Sequence, residues 1–208
     1  MNEDTIAGFL EGLASGAPVP GGGGAAALSA AMGAALVAMV CNLTIGQEKH
    51  RAHEETMARL LVEATEQRAL ALALAAEDGA AYGAVRAAYA LPRGADEEKR
   101  TRQAQIQQAL KGAADVPLRT VAVAARIVEL CAEALPGGNP NVVSDIGVGV
   151  LCARAALDGA ALNVRTNLAL IRDDAFKSET SADLERRLAA ARPRGDEVAR
   201  QVDERIGR

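Results

Sequence analysis

From Gly12 to Gln47 the chain carries no charged side chain. Within that span Pro18-Val-Pro-Gly-Gly-Gly-Gly gives way to an alanine-rich apolar run from Ala25 to Ile45. Two prolines and four glycines in seven residues read as a loop. The run after it is built from strong helix formers without period-two alternation, and reads as a helix over 25–45. A helix that is apolar on all sides must be buried, in a bundle or in a membrane. At about 1.5 Å per residue this one spans roughly 32 Å, long enough for a bilayer. Its side chains are mostly small, however, and its end carries Asn42 and Thr44. The reading taken is a central core helix, with no membrane partner.

Composition supports a helical core of an unusual kind. Apolar residues make up 50% of the 208, yet aromatics are 2% and Trp is absent. The core must therefore be made of Ala, Leu, Val and Gly, whose small side chains let helix backbones approach closely. Ala26, Ala30, Gly33 (or Ala34) and Val37 (or Ala38) offer one such face, and small residues recur at Gly149, Ala153, Ala156 and Ala160. The expectation is an all-α fold, a single domain over 1–208 of long, roughly antiparallel helices, with some packing between two copies as a homodimer. A net charge of −4 with no basic stripe argues against nucleic-acid binding. Cys41, Cys131 and Cys152 lie in apolar helical runs without CxxC spacing, and read as buried free thiols of a reducing compartment. Met-Asn-Glu-Asp at the start lacks the basic and apolar regions of a signal peptide, so a cytoplasmic location is expected.

The remaining helices follow from periodicity and breakers. Residues 4–15 read as a short amphipathic helix, capped by Asp4 or Thr5 and ended by Gly16, with Ile6, Phe9, Leu10 and Leu13 on one face. A very long helix is expected over 51–90, and another over 95–134 that Pro117 should break or kink. Residues 144–170 form the next, with Ser144 as its N-cap and Asp145 in its first turn. Two peripheral helices, 179–192 and 195–207, are expected on either side of Pro193 and Gly195.

Several polar groups stand out against this apolar background. The glycines at a helix N-terminus can expose N–H groups to an anion, or serve only as a connector. Without a following Gly-Lys-Ser/Thr they are not a P-loop. Lys49 is one of four lysines and follows the apolar helix, where it can hold an anionic ligand or merely compensate the helix dipole. Glu77 and Asp78 interrupt an Ala/Leu stretch near Tyr82. At most one can face a buried centre, and a half-buried carboxylate makes a tunable general base. Asn139, Asn141, Ser144 and Asp145 form a polar loop-to-helix corner. His50 and His53 lack a ligand set, so no metal is expected.

In these stretches the sequence resembles the formiminotetrahydrofolate cyclodeaminase / methenyltetrahydrofolate cyclohydrolase family. The resemblance rests on Pro18-Val-Pro-Gly-Gly-Gly-Gly-Ala-Ala-Ala, Met39-Val-Cys-Asn-Leu-Thr-Ile-Gly through Lys49, and Glu77-Asp-Gly-Ala-Ala-Tyr. It continues in Asp115-Val-Pro-Leu, Asn139-Pro-Asn-Val-Val-Ser-Asp and Gly159-Ala-Ala-Leu-Asn-Val-Arg-Thr-Asn, in order over about residues 5–170. It is nearest to the stand-alone bacterial cyclohydrolases. The resemblance implies an all-helical homodimer acting on a reduced folate with no metal or redox cofactor, either adding water to 5,10-methenyltetrahydrofolate or releasing ammonia from the formimino form. The lack of a separate formiminotransferase domain favours the former, and the remaining alternative is a helical protein that binds folate without turnover. The implied catalytic residues are Lys49, Asp78 and Asp145: a carboxylate to stabilise the cation or activate water, and a lysine near the developing oxyanion or the folate. The implied binding residues are Pro20, Gly21, Gly22, Gly23, Asn42, Thr44, Tyr82, Asn141, Ser144 and Asn163. The family's lysine-rich segment ending in Tyr is here Gln47-Glu48-Lys49-His50.

Overall fold

The computed structural model describes residues 5–207. Among them six α-helices succeed one another: α1 (Ile6–Ala14), α2 (Gly22–Asn42), α3 (Glu54–Ala90), α4 (Asp96–Ala134), α5 (Val143–Leu168) and α6 (Asp174–Ile206). Short 3-10 turns occupy Glu48–His53 and Pro140–Val142, and no strand occurs among the described residues. The all-α expectation holds.

Helices α2 to α5 form a four-helix ring. In it α2 packs on α3 and α5, α4 packs on the same two, and α6 lies across the outside of α4 and α5. The seam between α2 and α5 runs antiparallel, for Gly22 is near Asn163, Gly33 meets Gly149 and Val40 meets Gly138. A Cβ on Gly33 would lie 2.9 Å from the Gly149 carbonyl oxygen, so the two backbones touch where no side chain fits. The expected small-residue faces are this seam: Ala26, Ala30, Gly33 and Val37 are buried, as are Gly149, Ala153, Ala156 and Ala160. Alanines bury little area each, and close backbone approach replaces what bulky side chains would supply in dispersion contacts. Although α2 is long and apolar enough to cross a bilayer, it is the central element of the bundle.

Several boundaries differ from expectation. Gly22, Gly23 and Gly24 are the first turn of α2 rather than a loop, because a carboxylate from α3 caps them. Pro117 does not break α4. An interior proline costs about 3 kcal/mol, and the buried Val116, Thr120, Val121, Val123 and Ala124 around it outweigh that. Pro193 and Gly195 likewise lie inside one continuous α6, held by the buried Leu184, Leu188, Ala191, Val198 and Val202. Ser144 is not an N-cap. The 3-10 turn before it, capped by the Asn139 side chain, runs directly into α5 at Val143. A 3-10 turn also delays α3 to Glu54.

At the N-terminus the Thr5 hydroxyl caps α1 by accepting from Gly8 N–H at 3.0 Å, while Asp4 lies outside the described residues. Ser15 rather than Gly16 ends α1, with both its N–H and its hydroxyl donating to the Gly12 carbonyl. Phe9 of α1 rests beside Gly24, and Ile6 and Leu10 face outward.

The site is positioned by a mismatch of lengths. α3 and α4 have 37 and 39 residues against 21 and 26 in α2 and α5. The surplus projects past the start of α2 and the end of α5 as a two-helix shelf, its turn closed by Arg102 donating to the Tyr89 carbonyl.

Candidate active site

A cavity of about 340 Å³ opens where the shorter helices stop against the shelf. The loop residues Pro18, Val19 and Gly21 and the first turn of α2, Gly22 and Gly23, form one wall. Asp78, Ala81, Tyr82 and Val85 of α3 form another, Leu110 and Ala113 of α4 close the base, and Asn163, Thr166 and Asn167 of α5 stand opposite.

Asp78 is its centre. Its Oδ2 accepts from Gly24 N–H at 3.1 Å, so a carboxylate from α3 caps the N-terminus of α2, which has no side-chain cap of its own. The helix end does receive an anion, as the glycines allow, and that anion is an internal one. A Cβ on Gly23 would lie 2.1 Å from Asp78 Oδ1, so glycine is required for the carboxylate to seat. Two effects oppose each other at Asp78. Burial pushes its carboxyl above the ordinary range and the Gly24 N–H pulls it down; burial wins. The result is a carboxylate more basic than usual, as a general base near neutral pH requires. Its neighbour Glu77 is spent on Arg119, at 2.6 Å.

The α5 wall presents amide oxygens. Asn163 Nδ2 donates to the Gly159 carbonyl at 2.9 Å, and Asn167 Nδ2 to the Ala113 carbonyl at 2.8 Å. Each Oδ1 is left without a protein donor among the described residues.

The structure brings Gly21, Gly22, Gly23, Asp78, Tyr82 and Asn163 to this one cavity, with Pro20 packed behind against Gly12 and Gly24. It does not bring the others there within one chain. Asn42, Thr44, Lys49, Asn141, Ser144 and Asp145 gather at the far end of α2, about 28 Å away. Thr44 is buried and committed: its hydroxyl donates to the Val40 carbonyl at 2.7 Å and accepts from Asn139 N–H at 3.0 Å. Asn139 is also spent, donating to the Leu43 carbonyl and accepting from Asn141 N–H. Asn42, Lys49, Asn141 and Ser144 are exposed, and Asp145 is half-buried. Asn167 and Thr166 were not singled out from sequence as site residues. The available signal was the four-residue spacing from Asn163 to Asn167, which puts both amides on one helix face.

Fold and pocket together define a helical-bundle protein with a carboxylate-centred, acceptor-lined site. The sequence profile of the formiminotransferase-cyclodeaminase family matches residues 5–186, and the chain belongs to that family. It is 46% identical over 203 residues to the methenyltetrahydrofolate cyclohydrolase of Methylorubrum extorquens, covering 98% of each chain. It is 32% identical over 178 residues to the formimidoyltransferase-cyclodeaminase of Mus musculus, covering 86% of this chain and 33% of that longer one. The crystal structure of formiminotetrahydrofolate cyclodeaminase from Thermotoga maritima superposes with a TM-score of 0.89 at 26% identity, over 99% of this chain and 98% of that one.

Proposed function

We propose that this chain is a methenyltetrahydrofolate cyclohydrolase, converting 5,10-methenyltetrahydrofolate and water reversibly to 10-formyltetrahydrofolate. The observation that carries the proposal is the half-buried Asp78 carboxylate at the mouth of a pocket sized for a ring system, in a chain so similar along its whole length to a protein bearing that name. The substrate's amidinium carbon is cationic, and a carboxylate in a poorly solvated site favours it electrostatically. Asp78 takes a proton from water as the water oxygen bonds to that carbon. The tetrahedral adduct then breaks its bond to N5, which takes up the proton held by Asp78 while the adduct's hydroxyl releases its own to solvent, and the carbon stays on N10 as a formyl group. The net products are 10-formyltetrahydrofolate and one proton. The amidinium is electrophilic without further activation, so neither metal nor cofactor is assigned a part. Gly21–Gly23, Tyr82 and Asn163 hold the ring system.

The test is catalysed decay of the methenyl chromophore. The second reading, favoured by the Thermotoga structure and the mouse relative, is cyclodeamination. It predicts ammonia release from 5-formiminotetrahydrofolate.

A homodimer is part of the proposal. Met32 and Met39 on α2, Leu43 at its C-terminal cap, and Val148, Leu151 and Leu162 on α5 are exposed, on or beside the two helices joined at the Gly33–Gly149 seam. A two-fold axis across the middle of α2 would lay two copies of it antiparallel. Lys49, Asn42, Asn141, Ser144 and Asp145 would then come to the other copy's pocket, reconciling their distance from Asp78 with a shared role. Mixing inactive Asp78→Asn and Lys49→Ala chains should restore about a quarter of wild-type activity, since half the dimers are mixed and one site in each is intact. No recovery on mixing would confine the site to one chain. Reducing cytoplasm is the proposed location. Burial pushes the unpaired thiols of Cys41 and Cys131 up to about 11 and about 12, leaving them unreactive.

A further inference from the structure

The stretch Asp115-Val-Pro-Leu has no part in the chemistry above, yet Pro117 sits in the middle of α4. In an α-helix each N–H donates to the carbonyl four residues earlier. Proline has no N–H, so the Ala113 carbonyl is left without its helical partner. Ala113 lies at the base of the pocket. The donor that fills the gap is Asn167 Nδ2 of α5, at 2.8 Å. A carbonyl only accepts, so the nitrogen of the Asn167 carboxamide must face it, and Oδ1 is left for the pocket that Asn167 lines. One turn earlier Asn163 is oriented in the same way by the Gly159 carbonyl. The α5 wall thus carries two amide oxygens in fixed orientation.

We propose that Pro117 is a positioning residue for the site. By withholding one backbone N–H it keeps the Ala113 carbonyl for Asn167, and the oriented Asn167 oxygen, with that of Asn163, accepts N–H groups from the substrate's ring. The inference rests on the folate reading. The ligand edge it calls for is one rich in N–H donors, and the amino-pyrimidinone end of a reduced folate is such an edge. A proline retained inside a helix at a cost to helix stability is explained by what its missing donor leaves available.

The test is a cycle of Pro117→Val, Asn167→Leu and the double variant, assayed for methenyltetrahydrofolate hydrolysis and for thermal midpoint. Valine nearly preserves the buried volume and restores the N–H, which competes for the Ala113 carbonyl. Pro117→Val should raise KM about fivefold to tenfold, the value of one oriented hydrogen bond. Its kcat should change less than about twofold and its midpoint should not fall. Asn167→Leu should raise KM at least as much. In the double variant the proline change should add nothing further, because its only route to the site is gone. A Pro117→Val protein with wild-type KM, or a KM effect that multiplies with that of Asn167→Leu, would make Pro117 a packing residue and overturn the proposal. Should Pro117→Val also melt lower, the cycle still decides. Inactivity of the wild type in both hydrolysis and ammonia release would remove the folate reading and this inference with it, whereas an active wild type with an unaffected Pro117→Val removes this inference alone.

Discussion

The two ends of α2 are built from similar materials and used in opposite ways. At the C-terminal end the buried Thr44 and Asn139 are spent on each other and on the backbone, Thr44 bonded to Val40 and Asn139, and Asn139 to Leu43 and Asn141. His50 Nε2 in the turn beyond is the one buried side-chain atom there left without a partner among the described residues. At the N-terminal end polar groups are oriented but left unspent. Asp78 gives one oxygen to Gly24 and keeps the other, and Asn163 and Asn167 anchor only through nitrogen. A satisfied network stabilises a fold, whereas an incompletely satisfied one in a cavity is prepared for a ligand. The comparison teaches that polar composition alone does not mark a site. Several unspent groups gathered around one cavity do, whereas a lone one such as His50 Nε2 does not.

The largest effect that can break this comparison is at Asp78. Asp78→Asn keeps the bond from Gly24 and removes the base, and should lower kcat about 10²–10⁴-fold. It should not lower stability. The folded pKa of Asp78 is raised above its unfolded value, so its contribution to stability is present at low pH and lost as pH rises through the raised value. At neutral pH the asparagine protein should melt at the same or a higher temperature. The base form is the active one, so wild-type kcat/KM should fall with decreasing pH at values above the ordinary carboxylate range, and this limb should vanish in Asp78→Asn.

Gly23→Ala comes next. Its Cβ would sit 2.1 Å from Asp78 Oδ1 and force the carboxylate to move, so activity should drop about 10²-fold, as a displacement of about 1 Å can do, while helical content by circular dichroism is kept. Asn139→Ala addresses the satisfied end. It should cost about 1–3 kcal/mol of stability in a denaturant titration, with kcat of the folded enzyme changed less than about threefold. The smallest effect belongs to Glu77→Gln. That half-exposed ion pair with Arg119 is worth at most about 1 kcal/mol. Activity should persist although its neighbour Asp78 is indispensable.

Much of this fold could be read from sequence because helix formers and small-residue spacing are local signals. The small-residue faces through Gly33 and Gly149 follow from them, but that these two faces meet each other within one chain does not. Pro117 and Pro193 misled because proline's cost is local while the burial that overrides it is tertiary. Gly22–Gly24 were taken for loop because their cap, Asp78, is contributed by a distant helix. The site was half legible. Glu77 and Asp78 could not be told apart until α4 supplied Arg119 to one and burial fell on the other. Lys49 and Asp78 looked like one constellation, yet α2 holds them apart within a chain. Asn167 was visible only as the last residue of the Gly159–Asn167 stretch, four positions after Asn163, since its meaning depends on a carbonyl that a proline on another helix sets free.

The central claim is that hydrolysis takes place at the N-terminal end of α2. The most direct test follows the near-ultraviolet decay of 5,10-methenyltetrahydrofolate at a pH where spontaneous hydrolysis is slow, with equal amounts of wild-type and Asp78→Asn protein. The account predicts decay that scales with wild-type protein and falls to near the spontaneous rate with the asparagine variant. An Asp78→Asn protein that matches the wild type would contradict it.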